Sequence, residues 1–339
     1  MLVDIFRSDL FRTTSLTAAI NAVETPPQRI AELGLFEEKG VRTTSVVIER
    51  KDGVVSILPA KARGSDPTPM TDRTRTGISL EVPHVPARAR VMADEVQGVR
   101  AFGTDSDLET IETVRDEKLS DMDDSLSATE EYHRLGAIQG IILDADGSVI
   151  YDLFDEFGVT EPDPIYLDLS AVHTPGTGVI RKKLTLLKDR MRRILKNKMV
   201  TGVWAPCGPG LFNDLTNHPE IRETYLNQQE AADLRGGNPL ERFVYGGALF
   251  ELYPGYGDVE IAEGECRFIP MGVKGLFQSS FAPAPYFSAV NRPGLPRYAL
   301  ASLDPSGEKW IDLEGQSNGL HICTRPEVLI PGLATADPG

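Results

Sequence analysis

The sequence predicts a mixed α+β fold, and three observations predict it. Thr104 to Gln139 runs without proline and with Gly136 as its one glycine, long enough for a single extended helix. Two hairpin signals, Asp52-Gly53 and Asp146-Gly147, each sit between β-branched runs on either side of that stretch. The C-terminal half holds short strands and helices without the regular strand–helix alternation of a parallel sheet.

In chain order, residues 1–35 mix short apolar patches (Ile5, Phe6, Leu10, Phe11, Leu16, Ile20) with Pro26-Pro27 and a small helical piece from Ile30 to Leu35. Too little of this is apolar in a row to make a core. The segment is expected to be either a disordered tail or an arm that folds against something else, a neighbouring chain included. From Thr43 the period becomes two: Ser45 to Glu49, the Asp52-Gly53 turn, then Val54 to Leu58, and after a breaker-rich length a third run, Ile78 to Pro83. Strands of this length with no adjacent helix to cover them are marginal alone, so they read as a projection that needs a partner.

The long helix has N-cap oxygens at Thr104, Asp105 and Ser106 and capping-box spacing from Ser106 to Glu109. Leu108, Ile111, Leu119, Met122 and Leu126, then Tyr132, Leu135 and Ile138, form one apolar stripe on an otherwise acidic rod. At 1.5 Å per residue it would reach roughly 45–50 Å. The stripe is expected to face a core and the acids to face water. Periodicity alone leaves a coiled-coil or bundle helix equally open.

Beyond it, Ile141–Leu143 and Val149–Tyr151 make the second hairpin. Asp144-x-Asp146-Gly resembles the start of a calcium loop, but the intervening ligands of an EF-hand are missing and a turn accounts for the residues. Residues 176–198 form a basic amphipathic helix with Leu184, Leu187, Met191, Ile194 and Leu195 on one side. In so acidic a chain its cations are expected to meet acidic surface within or between subunits. A strand ending at Cys207 and a helix from Leu211 follow, then a glycine-rich turn (234–239) and strands at Phe243–Leu252, Asp258–Ile261 and Glu265–Ile269. After a breaker-rich run through Pro296 come Tyr298–Leu303, Lys309–Glu314 and Leu320–Ile330.

Chemistry is sparsely signalled. Cys207 followed by His218 suggests a thiol nucleophile and base, hence a cytoplasmic thiol hydrolase, but no third orienting group is evident and Cys207 sits just after an apolar strand, so a buried structural thiol is the better reading. Cys207, Cys266 and Cys323 are odd in number and widely spaced, which fits neither a disulfide scaffold nor a zinc site. No glycine cluster has dinucleotide or Walker spacing ahead of a helix, so no cofactor and no metal are expected. The formal charge of −15 opposes tight binding of nucleic acid. The N-terminus lacks the pattern of a signal peptide, and no run is long enough to span a bilayer.

The order of these pieces carries a resemblance. An arm, a strand projection, the phrase Ala93-Asp94-Glu95-Val96-Gln97-Gly98-Val99-Arg100-Ala101-Phe102-Gly103 and then the long helix resemble the lambda-type major capsid proteins of tailed phages, the capsid E family. Glu32–Phe36, Phe212 through His218-Pro219-Glu220 to Tyr225-Leu226, and Cys323-Thr324-Arg325-Pro326-Glu327 are similar to that family as well. The resemblance runs from about Phe6 to Ile330 and implies the Hong Kong 97 phage capsid fold. It implies an N-terminal arm (1–42), an E-loop (43–90), a peripheral domain (91–170) with a spine helix at 106–139, an axial domain (171–296) and a C-terminal return to the peripheral domain (297–339). Val46, Ile48, Val54, Ile57, Ile78 and Leu80 of the E-loop would then be contacts to a neighbouring subunit. The implied function is a structural one: hexamers and pentamers of one chain form the icosahedral head around double-stranded DNA. A scaffolding protein, a portal and a decoration protein would be its partners, and the protein, made in the host cytoplasm, would end in the virion. A nanocompartment shell of the same fold is the near alternative. An acidic wall suits a container that must let a polyanion slide in.

Overall fold

The computed structural model describes residues 13–21, 29–52, 74–96, 111–170, 178–196, 198–222, 225–226, 242–253, 260–305 and 309–338. In chain order the elements are α1 (Thr13–Ile20), α2 (Arg29–Glu32), β1 (Phe36–Gly40), β2 (Ser45–Asp52), β3 (Thr74–Glu81), β4 (Val85–Met92), α3 (Ala93–Val96) and α4 (Ile111–Gln139). Then come β5 (Ile141–Leu143), β6 (Val149–Asp152), α5 (Leu153–Glu156), β7 (Ile165–Tyr166), α6 (Val179–Ile194), β8 (Gly202–Cys207) and α7 (Pro209–Asn217). The last are β9 (Arg242–Tyr245), β10 (Ala248–Leu252), β11 (Glu265–Met271), β12 (Phe277–Phe281), β13 (Tyr298–Leu303), β14 (Trp310–Ser317), β15 (Gly319–Cys323) and β16 (Ile330–Leu333).

The long helix is α4, 29 residues and roughly 43 Å in length; its expected cap at Thr104–Ser106 lies outside the described residues. It ends where glycine permits. Gly140 has φ +95°, and a Cβ there would overlap the Phe154 ring, while a Cβ on Gly136 would come within 2.7 Å of the Ile141 carbonyl oxygen. The chain therefore doubles straight back over the helix into β5 and β6, whose hairpin is the one expected around Asp146-Gly147.

Three sheets surround α4. The largest has six strands in the order β7-β16-β11-β8-β10-β9, with α6 and α7 contributing Ile180, Leu184, Leu187, Met191, Leu211 and Leu215 to the same buried cluster. A three-stranded antiparallel sheet, β13-β14-β4, carries α1 and the first half of α4; Leu16, Ile20, Val114, Leu119, Met122, Ala299 and Leu313 form its own core. A small sheet, β1-β12-β15, lies by the second half of α4, whose Leu135 and Ile138 join the main core. One helix thus ties two cores together.

Several sequence expectations move. Ser45–Asp52 pairs with Thr74–Glu81 in unbroken register, Ser45 opposite Glu81 and Asp52 opposite Thr74, so the first run is zipped to the third. Its expected partner Val54–Leu58, like the glycine-rich turn at 234–239, lies outside the described residues. Val85–Met92 is not part of the projection but pairs along its length with β14, which brings the chain back into the body before Arg90. The run between residues 270 and 296 conceals β12, and residues 320–330 hold a strand, a 3-10 turn at Pro326–Val328 and the start of another strand in a different sheet. Glu260 and Ile261 are not in a strand. The final strand, β16, pairs with β11 and β7 in the six-stranded sheet, whereas β13 and β14 make the return beside α4.

Candidate assembly surfaces

The projecting ladder was expected to lack cover within its own chain. At its base it has that cover. Val46, Ile48 and Leu80 are 4%, 7% and 1% exposed and belong to the main core, with Ile78 half-buried against it. Alternation explains the arrangement: Val46, Ile48 and Leu80 share the inward face, which leaves Val47 on the other face at 62% exposure. The Tyr151 hydroxyl donates to the Glu81 carbonyl at 2.9 Å and Val82 N–H donates to the Thr44 carbonyl, so the foot of the ladder is fixed to the β5–β6 hairpin and closed by a further rung. Three of the six residues expected to touch a neighbour are therefore committed to their own subunit. Val54 and Ile57 lie outside the described residues.

The arm is likewise partly anchored at home. β1 runs parallel to β12 from Phe36 opposite Phe277 to Gly40 opposite Phe281. Arg29 clasps the Glu251 carboxylate with Nε and Nη2, at 2.5 and 3.0 Å, and Trp204 Nε1 donates to the same carboxylate at 2.9 Å. Glu131 of α4 accepts the Ile30 N–H at 2.8 Å and the Tyr253 hydroxyl at 3.3 Å. In α1, Ala299 N–H donates to Thr17 Oγ1 at 3.1 Å.

The acids of α4 do not all face water. Asp123 is 1% exposed, and Glu130 and Glu131 are buried with it. The cause is Arg297, itself 5% exposed, which donates to Asp123 at 2.7 Å, to Ser127 at 2.9 Å and to Glu130, while Ser317 donates to Glu130 at 2.7 Å. Burial pushes the Asp123 carboxyl up from its ordinary value although Arg297 pulls it down. A buried cation with two carboxylates satisfies charge that desolvation would otherwise make prohibitive, and it pins the helix to the strand that follows Pro296. The acids that do face solvent are Asp116, Glu117, Asp121 and Asp124.

The thiol reading gains nothing from the geometry. Cys207 is fully buried in β8 opposite Cys266 of β11, and its Sγ donates to the Ala205 carbonyl at 3.1 Å. Burial first, then the neighbouring Cys266, pushes the thiol well above its ordinary value, the reverse of what a nucleophile needs. His218 is 3% exposed at the end of α7, with Nδ1 accepting the Glu220 N–H at 3.2 Å. The Asp144–Gly147 segment is a turn: Asp146 accepts the Ser148 N–H at 2.9 Å and Asp144 the Ala145 N–H at 2.7 Å. Among the described residues no cluster of three or more His, Cys, Asp and Glu is placed to hold a metal ion, and no helix is long and apolar enough to cross a membrane.

Among the described residues the surface carries single exposed apolar side chains, Val47 on the ladder, Leu186 and Phe287, and separate basic and acidic helix faces. Residues 12–334 match the family model for the phage major capsid protein E. The chain belongs to that family. Similar proteins include the major capsid protein of Pseudomonas phage KPP10, 27% identical over 346 residues that span 96% of this chain and 97% of the relative. The major capsid protein of Salmonella phage Felix O1 (isolate Felix O1-VT1) is also 27% identical, over 97% of this chain and 98% of its own. Among solved structures, a putative capsid protein of an E. coli CFT073 prophage superposes with a TM-score of 0.57 at 12% identity, covering 95% and 98% of the two chains. The capsid of an empty GTA particle gives 0.52 at 9% identity over 92% and 91%. The fold is that of the Hong Kong 97 phage capsid. As a member of the family, this is a major capsid protein, a subunit of a phage capsid shell.

Proposed function

We propose that copies of this chain assemble as hexamers and pentamers into the icosahedral head of a tailed phage and enclose its packaged double-stranded DNA without reading its sequence. The match over residues 12–334 carries this reading. The six-stranded sheet with α6 and α7 serves as the axial domain, α4 with the β13-β14-β4 sheet as the peripheral domain, and the β2–β3 ladder as the E-loop. Its contacts to the neighbouring subunit run through Val47, the outer part with Val54 and Ile57, and the half-buried Ile78, while Val46, Ile48 and Leu80 hold the loop to its own body. A separate scaffolding protein, a portal and a decoration protein complete the head, which assembles in the host cytoplasm and leaves in the virion. The formal charge of −15 supports the container role, since a wall of the cargo's own sign does not retain DNA during entry. Sedimentation and electron microscopy of the purified protein test this: capsomers and closed shells are expected, and a monodisperse monomer at every concentration, with and without scaffold, overturns it.

A further inference from the structure

The basic helix α6 buries Ile180, Leu184, Leu187 and Met191, and Arg181, Lys182, Leu186 and Arg193 are exposed on its other sides. In its sixteen residues VIRKKLTLLKDRMRRI, seven cations face one acid, inside a chain whose formal charge is −15. Part of this charge is spent locally. Lys183 donates to the Leu167 carbonyl, Lys188 donates to the Gly246 carbonyl at 2.7 Å, Arg192 pairs with Asp189 at 3.3 Å, and Arg190 reaches Asp163 at 4.0 Å. Arg181, Lys182 and Arg193 remain exposed, with no carboxylate at ion-pair distance among the described residues. Between them sits Leu186, 60% exposed, on the rim of an open cleft of about 660 Å³ between α6 and the Thr160–Asp163 segment.

The same chain carries the complement elsewhere. On α4, Glu117, Asp121 and Asp124 are exposed at i, i+4 and i+7, one row roughly 10 Å long, and none has an ion-pair partner among the described residues. The cations next to that row are already engaged: Lys118 with Glu95 at 3.0 Å and Arg115 with Asp116 at 2.7 Å.

We propose that the outward face of α6, Arg181, Lys182 and Arg193 around Leu186, docks on the acidic row Glu117–Asp121–Asp124 of α4 in a second copy of the chain. The proposal rests on the shell-forming reading and adds to it a specific, charge-selected contact. Three surplus cations, spread over roughly 18 Å of α6 and carried on long side chains, meet three surplus carboxylates, so one contact neutralises both sets, and Leu186 supplies the apolar centre that a polar rim keeps dry. Because the two faces differ, the contact is head-to-tail and propagates around a ring, which is the geometry a capsomer requires. Packaged DNA is the other polyanion available to α6, but it would leave the acidic row of α4 without a partner.

The test is a charge swap in the full chain. One variant carries Arg181→Glu, Lys182→Glu and Arg193→Glu; a second carries Glu117→Lys, Asp121→Lys and Asp124→Lys; a third carries all six. Every position is exposed, and thermal melts report whether each variant folds. Both single-sided variants are expected to lose shell yield by about tenfold or more through like-charge contact, and the six-fold variant to recover to within about threefold of the wild type. Wild-type assembly is also expected to weaken as salt rises past about 0.3 M, where exposed pairs are screened. Single-sided variants that assemble like the wild type overturn the proposal, and so does a six-fold variant that folds yet assembles no better than they do. Normal assembly with reduced DNA retention in the α6 variant alone would assign the cations to phosphate instead. A wild-type protein that forms no capsomers or shells, with and without scaffold, would refute the shell reading itself, which separates the two failures.

Discussion

Arg297 bonds two carboxylates and a hydroxyl of α4 at once, so its removal should be the most damaging polar substitution in the cluster. Arg297→Leu strands Asp123 and Glu130 in the interior and is expected to cost about 3–5 kcal/mol, whereas Asp123→Asn keeps a hydrogen-bonding group and is expected to cost about 1–3 kcal/mol. Denaturant unfolding of isolated subunits checks both against Asp121→Asn, an exposed neighbour on the same helix that should change stability by under about 0.5 kcal/mol. Equal costs at Asp121 and Asp123 would mean that the cluster holds nothing. The apolar stripe at Leu119, Met122 and Leu126 was legible in the sequence because period 3.6 identifies an inward face without naming its partner. Asp123 and Glu130 were not legible. A carboxylate on a helix reads as solvent-facing unless a buried cation is known to approach, and this one comes from a residue 174 positions later in the chain, straight after a proline-rich loop. Cys207 is the converse: the apolar strand before it favours a core thiol over a nucleophile, and its full burial agrees with the core. Alkylation of the folded protein at neutral pH should label Cys207 slowly; rapid, stoichiometric labelling of this one thiol would reopen the enzymatic reading.

At the scale of elements, the β2–β3 ladder divides into a foot that belongs to the subunit and an outer part whose stability is expected to come from outside it. Replacing residues 53–73 by a short Gly-Ser linker keeps Val46, Ile48 and Leu80 in place, so the variant should retain its helical signal and a cooperative melt. If the proposed E-loop role holds, its shells should be lost, because a Gly-Ser linker offers a neighbouring subunit no apolar surface to cover. Closed shells from this variant would remove the E-loop role; a variant that fails to fold would place 53–73 in the subunit core. The hairpin at Asp146-Gly147 was legible because its turn and both strands are adjacent in sequence. The partnership of β2 with β3 was not, since the Asp52-Gly53 signal proposes the nearer partner and register over a long connection is set by burial of one face. β12 was hidden for a related reason. Phe277–Phe281 is short and lies among prolines and glycines, and its place between β1 and β15 depends on strands more than 200 residues before it and about 40 after it.

For the whole molecule, the junction between α4 and the β1-β12-β15 sheet sets how stability depends on pH. His133 and His321 are 3% and 1% exposed, their ring centroids 6.5 Å apart, and His321 Nδ1 lies 2.7 Å from Ser279 Oγ. Burial holds both imidazoles below the ordinary value of 6.5, and for His321 the charges of Arg134, His133 and Arg297 press the same way; Asp144 and Glu130 pull His133 partly back. An unfolded histidine takes up its proton near pH 6.5 while these folded ones stay neutral, so in that window the unfolded state binds more protons. Stability therefore rises with pH there and is lost as pH falls below about 6.5, at up to about 1.4 kcal/mol per pH unit for each ring. Lower down the slope reverses in part. Burial raises the carboxyls of Asp123 and Glu131, so between their unfolded and folded values the native state holds the extra proton and gains on acidification. The loss is expected to set in as pH falls below about 6.5, through the two histidines at the joint where α4 meets the sheet carrying β1. Melting temperatures of subunits measured across that range should fall for the wild type and fall less for His321→Gln. Parallel slopes in the two proteins would assign the acid response to other groups.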